Sequence, residues 1–347
     1  MRKILVAGWF SFENCGVTAG DVMAKDVACQ WLESAGYEYD VALVPPFVGG
    51  VDWRSVETND YSHTVFVCGP FLYANLSINF LKRFDSCRLI GLDLSMFDPI
   101  NVWNPFDVLL ERDSSVCSRP DISLLSQQVK VPVVGIILVE PQYEYQNKDK
   151  YQLANAAVER LIASQDMVAV PIDTRLFPNT TNLRNAAEVE SLIARMDFVI
   201  TTRLHGTVLA IKNGVPPIVI DGISGGAKVS RQAKTLGWDI IFSVDNLNDE
   251  ELQKAFNYCQ TEEARFKARE CCNRAINAVE EIGDKFIKAL DSEGSASSRV
   301  WNEEAMNKSF LEPINANRLT IRGLVMNKVR IFKNRTMTTL RVALGKK

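Results

Sequence analysis

Residues Arg195-Met196-Asp197-Phe198-Val199-Ile200-Thr201-Thr202-Arg203-Leu204-His205-Gly206-Thr207-Val208-Leu209-Ala210 decide how this chain folds. Phe198–Thr202 is a short run of apolar and β-branched side chains, the composition of a buried strand. A helical pattern follows at Thr207–Lys212 and stops at Gly214, and Pro217–Ile220 reads as the next strand. Strand, short helix and strand in quick succession predict a βαβ unit in a parallel sheet. Between the first strand and the helix stand Arg203 and His205. The open N–H groups and dipole of a helix start favour an anion there. Arg203 adds a fixed charge whose fork matches a carboxylate or phosphate, and the His205 imidazole can serve as a general base near neutral pH. Gly206 is expected to leave room for a ligand. On its own, Arg-x-His also fits a pair that merely caps a turn.

The same alternation extends in both directions. Upstream, Ile4–Ala7, Val41–Val44, Thr64–Cys68, Arg88–Leu92 and Val108–Leu110 are strand candidates, with a helix capped by Asp21 and closed by Gly36. That helix places Met23, Val27, Ala28, Trp31 and Leu32 on one face, and Trp31 and Phe80 fall at core spacing. A second series runs from the strand Val131–Leu138 through a helix at Lys148–Ser164, the strand Met167–Val170 and a helix at Arg184–Ala194 to the opening segment. It closes with helical patterns between Asp249 and Leu290. The fold class is therefore α/β, with two Rossmann-like domains facing across a cleft. Residues 1–129 form the first domain, 130–290 the second, and 291–347 a linker (Gly294-Ser295-Ala296-Ser297-Ser298) with a basic amphipathic tail. Ligands of open parallel sheets sit beyond the carboxyl ends of the strands. That places Ser11–Asp21, Cys68-Gly69-Pro70, Glu111-Arg112-Asp113, Asp173-Thr174-Arg175, Arg203–Gly206 and Gly222–Lys228 around the cleft. Asp173 and Arg175 fit a turn salt bridge as well as a cleft lining.

Composition narrows the class. A chain of 347 residues with 47% hydrophobic and 23% charged residues is ordinary for a globular protein. The apolar run after Met1-Arg2-Lys3 is too short for a signal-peptide core, and no stretch has a membrane span's length. The eight cysteines form no CxxC pair and no Cys/His metal spacing, so neither structural disulfides nor a metal site is expected, and the location is read as cytoplasmic. From Arg318 to Lys347 there are nine Lys/Arg and no Asp/Glu, against a net charge of −3 for the whole chain. A nucleic-acid binder would be basic throughout, and this body is not. Leu319, Ile321, Leu324, Val325, Val329, Ile331 and Phe332 interleave with those cations. The tail thus suits peripheral contact with an anionic membrane face, or a solvated segment. Of the two histidines, His63 precedes a strand, at the sheet end away from ligands.

Taken whole, the segment from Arg195 through Asn213-Gly214-Val215-Pro216-Pro217-Ile218-Val219-Ile220-Asp221 to Lys228 resembles the polysaccharide pyruvyl transferase family. The shared pattern is an apolar strand, R-x-H, a short helix with Ala, Gly-x-Pro, a second strand and a downstream Lys. A weaker likeness extends over residues 4 to 245, through Gly8, Asn14 and Gly20-Asp21 and through Glu111-Arg112-Asp113. The family's Asn-x-Gly-Asp stands here as Asn14-Cys15-Gly16, with Gly20-Asp21 displaced. The resemblance implies a glycosyltransferase B-type fold. It also implies transfer of an enolpyruvyl unit from phosphoenolpyruvate onto two hydroxyls of a sugar, giving a pyruvate ketal on a surface polysaccharide or a lipid-linked oligosaccharide precursor. It makes His205 the catalytic base, Arg203, Leu204, Arg112 and Lys228 donor-binding, and Asn14 and Asp21 acceptor-binding. Neither cofactor nor metal is implied. A nucleotide-sugar-dependent glycosyltransferase of the same fold, or a non-catalytic member, are the alternatives.

Overall fold

The structure is a computed structural model that describes residues 2–72, 75–139, 148–226 and 228–291. The linker and basic tail lie outside the described residues. The chain divides between Val129 and Lys130 into two units.

The N-terminal unit carries five parallel strands, β1 (Lys3–Ala7), β2 (Tyr39–Val41), β3 (Tyr61–Phe71), β4 (Arg88–Met96) and β5 (Val108–Leu110), in the order β2-β1-β3-β4-β5. Its strands are near-continuous apolar runs because both faces of the sheet are covered. Ile4 and Val6 point to the face packed by α1 (Ala19–Ser34), with Val27 and Ala28. Leu5 and Ala7 point to an aromatic layer of Phe12, Phe66, Phe71, Phe80 and Phe84, to which α2 (Asn75–Arg83) contributes Phe80. Phe80 is fully buried, as its spacing predicts, whereas Trp31 is 43% exposed. Trp31 is thus a correction: α1's buried stripe stops at Cys29, and the indole sits at its margin. His63 lies within β3 rather than before it, still in the strand's first residues.

The C-terminal unit repeats the plan. Strands β6 (Val133–Ile137), β7 (Val168–Pro171), β8 (Phe198–Thr201), β9 (Pro217–Asp221) and β10 (Ile241–Ser243) are all parallel, in the order β10-β9-β8-β6-β7. Counted within the unit this is again 2-1-3-4-5, an order that no sequence repeat announces. Helices α4 (Ala186–Ile193) and α5 (Leu204–Lys212) cover one face through Val189, Ile193 and Ala210. On the other face lie α3 (Tyr151–Ser164), α6 (Lys228–Thr235), α7 (Asp249–Cys259) and α8 (Glu262–Asp291), meeting Val134, Ile136, Phe198, Ile200, Ile218 and Ile220. Two Rossmann-like parallel-sheet units are the make-up that a glycosyltransferase B-type reading requires. Ligand sites in such sheets form at the switch point where chain direction across the sheet reverses, here after β6 and β8.

Candidate active site

The switch point of the C-terminal unit is occupied by the segment from which the sequence reading started. Thr202 Oγ1 accepts a hydrogen bond from Val139 N at 2.8 Å, tying the end of β8 to the chain leaving β6. Thr201 Oγ1 accepts from Arg203 N at 3.0 Å and donates to Ile137 O at 3.1 Å, so the turn into α5 is fixed by two buried threonines. The helix begins one turn earlier than its apolar pattern, at Leu204, with Arg203 as its extended N-cap residue. Its first backbone bond runs from Thr207 N to Arg203 O at 3.1 Å, so the N–H groups of residues 204–206 have no acceptor inside the helix. Gly206 serves packing instead of a ligand. A Cβ there would stand 2.2 Å from Thr201 Oγ1 and 2.9 Å from Ile137 Cγ2.

Beside this turn lies a cavity of about 160 Å³ lined by Val139, Tyr151, Thr202, Arg203, Leu204, His205, Lys228 and Val229. Four residues named from the sequence therefore share one cavity: Arg203, Leu204, His205 and Lys228. His205 is exposed, neither sealed in the core nor turned from the opening. Lys228 is the first residue of α6. Its position follows from Asp221, a buried carboxylate at the end of β9 that accepts from Ile223 N at 3.2 Å and from Ser230 N at 3.0 Å. The loop between them is held on one side by Lys150 N to Gly222 O and Ser224 N to Lys148 O, both 2.8 Å. On the other side Asp245 accepts from Gly225 N at 2.7 Å, and this backbone bond, with Ser224 Oγ, holds its carboxyl below the usual range. Tyr151 forms the apolar wall. A Cβ on Gly222 would stand 2.3 Å from its Cδ1, so that wall requires glycine. Val139, Tyr151 and Val229 were not foreseen, since nothing in an apolar pattern marks which core residue borders a cavity. The lining holds two cationic side chains and, among the described residues, no carboxylate. A larger cavity of about 570 Å³ lies by α3 and α7, where Arg160 and Asp249 pair at 2.8 Å and neutralise each other.

The remaining expected residues make local contacts of their own. Asp173 accepts from Arg175 Nη2 at 3.0 Å and from Thr180 N at 3.1 Å, which makes the pair a turn salt bridge. Asp21 is not the cap of α1. Thr18 is the N-cap, and Asp21, three residues on, returns a bond from Thr18 N at 2.8 Å, a capping box. Asn14 is exposed in a left-handed conformation, φ 58°. Arg112, in the N-terminal unit, donates to Asp121 Oδ2 at 2.6 Å, to Asp113 Oδ2 at 3.1 Å and to Ser95 Oγ. Cys68, Asp93 and Asp121 offer ligand atoms within 4.8 Å of one another, a cluster invisible in sequence because its members are far apart along the chain. Burial pushes the Cys68 thiol up to about 12 and raises Asp93.

Comparison with known proteins adds one family match. Residues 114–223 fit the family model described as polysaccharide pyruvyl transferase. The chain is a transferase that resembles the polysaccharide pyruvyl transferases. The matched stretch contains Arg203, Leu204 and His205 and stops short of Lys228, Arg112, Asn14 and Asp21. It is narrower than the sequence reading, which ran from residue 4 to 245. No curated protein matches the chain. Among solved structures, the spinosyn rhamnosyltransferase SpnG complexed with thymidine diphosphate shares 12% identity, over 78% of this chain and 95% of that one, at a TM-score of 0.29. The spinosyn forosaminyltransferase SpnP shares 12%, over 84% and 100%, at 0.31. The Methanocaldococcus jannaschii UDP-GlcNAc 2-epimerase, in complex with UDP-GlcNAc and UDP, shares 10%, over 81% and 100%, at 0.28. Scores of this size carry nothing about chemistry. In this pyruvyl transferase-like chain the functional reading stands on the family match and on the cavity at the end of β8.

Proposed function

We propose that the C-terminal unit binds phosphoenolpyruvate in the cavity beside α5, and that the enzyme transfers its enolpyruvyl unit onto two hydroxyls of one sugar. The observation that carries this reading is the convergence of Arg203, Lys228, His205 and an open helix start on one small cavity. A donor with both a carboxylate and a phosphate needs two separate cationic grips. Arg203 offers a planar fork and Lys228 a point charge, and the N–H groups of residues 204–206 add dipoles of the same sign. The apolar wall of Val139, Tyr151 and Val229 suits the carbon end of the molecule. A cavity of about 160 Å³ suits a small phosphorylated acid.

In the reaction, His205 takes the proton of the first sugar hydroxyl as its oxygen bonds to C2 of the donor, and C3 gains a proton to become a methyl group. Phosphate leaves with the C2–O pair, and the cation left at C2 is taken by the second hydroxyl, which loses its proton. Diol and phosphoenolpyruvate become ketal and phosphate. Fixed cations and N–H dipoles at the departing phosphate stabilise the charge that grows there. No metal or cofactor enters these steps. The acceptor side, with Asn14 and Asp21, would take a polysaccharide or lipid-linked precursor on the cytosolic side, with residues 318–347 meeting the membrane face. Cosedimentation of the full chain with anionic vesicles tests that part alone. The main test is phosphate release with acid-labile ketal formation on a panel of oligosaccharides. His205→Ala should lower turnover by about 10²–10⁴, with unchanged unfolding and retained donor binding. Full turnover in that variant would remove the imidazole from the mechanism.

A further inference from the structure

The N-terminal unit holds a group of side chains that the donor site does not use. Cys68 on β3 and Asp93 on β4 are neighbours across the sheet, between the register pairs Val67–Leu92 and Gly69–Leu94. Both have left-handed backbones, φ 61° and 58°. Asp93 is 0% exposed, and its Oδ1 accepts from Ile122 N at 3.3 Å. Its Oδ2 is buried and, among the described residues, has no hydrogen-bond partner. A carboxylate oxygen left this way costs the full desolvation of a charged acceptor. Beside it stand Cys68 Sγ and the Asp121 carboxylate, all three ligand atoms within 4.8 Å of one another. Asp121 is held in place by Ser123 N at 2.7 Å and by Arg112 Nη1 at 2.6 Å, and Arg112 Nη1 also lies 3.8 Å from Cys68 Sγ.

We propose that Cys68, Asp93 and Asp121 form a binding site for one divalent metal ion of borderline softness, such as Zn²⁺. The donor set decides the class. A thiolate selects against Mg²⁺ and Ca²⁺, and two carboxylates select against a purely soft ion. A thiolate and two carboxylates call for a dication, and the Arg112 guanidinium stands beside Asp121 and the sulfur. Arg112 is then an outer partner that orients Asp121 and the sulfur, the place hydrogen-bond donors take around metal ligands. The metal satisfies the orphaned Asp93 oxygen and joins β3 and β4 to the segment at Asp121. This site is independent of the donor reading in the other unit.

Titration of the reduced, chelator-stripped full chain with Co²⁺ tests it. One equivalent should produce a thiolate-to-cobalt charge-transfer band that Zn²⁺ then displaces. Cys68→Ser should abolish the band, Asp93→Asn should weaken binding by at least about 100-fold, and Cys117→Ser, which removes an exposed thiol outside the group, should leave it intact. If either ligand variant fails to fold, X-ray absorption on the Zn²⁺-loaded wild type still decides. One sulfur at about 2.3 Å with oxygen neighbours at about 2.0–2.2 Å is expected. No band in the wild type, a band unchanged in Cys68→Ser, or a zinc shell without sulfur or with several sulfurs would overturn the proposal.

Discussion

Gly206→Ala distinguishes a glycine required by packing from one that is merely tolerated. In an exposed helix interior the change would stabilise by about 1 kcal/mol, because alanine is the better helix former. Here the new Cβ would lie 2.2 Å from Thr201 Oγ1 and 2.9 Å from Ile137 Cγ2, and both residues are fully buried. Neither can retreat freely, since the Thr201 hydroxyl is committed to Arg203 N at 3.0 Å and Ile137 O at 3.1 Å. Overpacking of this kind costs about 1–3 kcal/mol, and losing the Thr201–Arg203 bond adds about 1 kcal/mol. Set against the propensity gain, the net loss is about 1–3 kcal/mol. For a unit of this size that lowers the unfolding temperature by about 2–4 °C per kcal/mol. Calorimetric unfolding of the full chain, followed through the transition of the C-terminal unit, reads it directly. The same displacement turns the N–H groups of Leu204 and His205, so affinity for phosphoenolpyruvate should fall as well. A variant as stable as the parent, or more so, would refute the packing of α5 on β8 described above.

Three further outcomes are expected. Burial alone would raise Asp173, but bonds from Arg175 and Thr180 outweigh it and hold its carboxyl below the ordinary range. Its contribution is therefore complete above about pH 4 and is lost as pH falls through the depressed folded value, so Asp173→Asn should cost about 2–3 kcal/mol at neutral pH, with the two chains converging in acid unfolding curves. Arg112→Ala, which strips Asp121 and Asp113 of a partner, should destabilise the N-terminal unit by about 1–3 kcal/mol. We read Arg112 as a structural cation, so titration of that variant should show less than about a threefold loss of donor affinity, about 0.6 kcal/mol. Gly222→Ala, driven against Tyr151, should weaken donor binding without altering the far-ultraviolet spectrum, whereas an unchanged affinity would take Tyr151 out of the wall.

Much of the fold is legible in the sequence because both sheets are buried on both faces. Ile4–Ala7, Phe198–Thr202 and Pro217–Ile220 are apolar runs that no solvated element would carry. Ile241–Ser243 escaped notice because β10 is a half-buried edge strand of three residues, too short for a pattern. The reading of Asp21 as a cap failed because cap and third-residue positions both favour a carboxylate, and only the Thr18 hydroxyl separates them. Arg203 and His205 are legible from the strand-to-helix turn itself, whereas Leu204 and Lys228 come only with the family resemblance. The Cys68–Asp93–Asp121 group was missed for the opposite reason. Its members meet only once β3 and β4 are paired and the chain has returned at residue 121.

The central claim is that a small doubly anionic donor rests against the start of α5. Isothermal titration of the full chain with phosphoenolpyruvate, and separately with uridine, guanosine and thymidine diphosphates, tests it most directly. Saturable binding of phosphoenolpyruvate alone, weakened more than about tenfold (1.4 kcal/mol) by Arg203→Ala, is the expected result. Binding of a nucleoside diphosphate with none of phosphoenolpyruvate would contradict it.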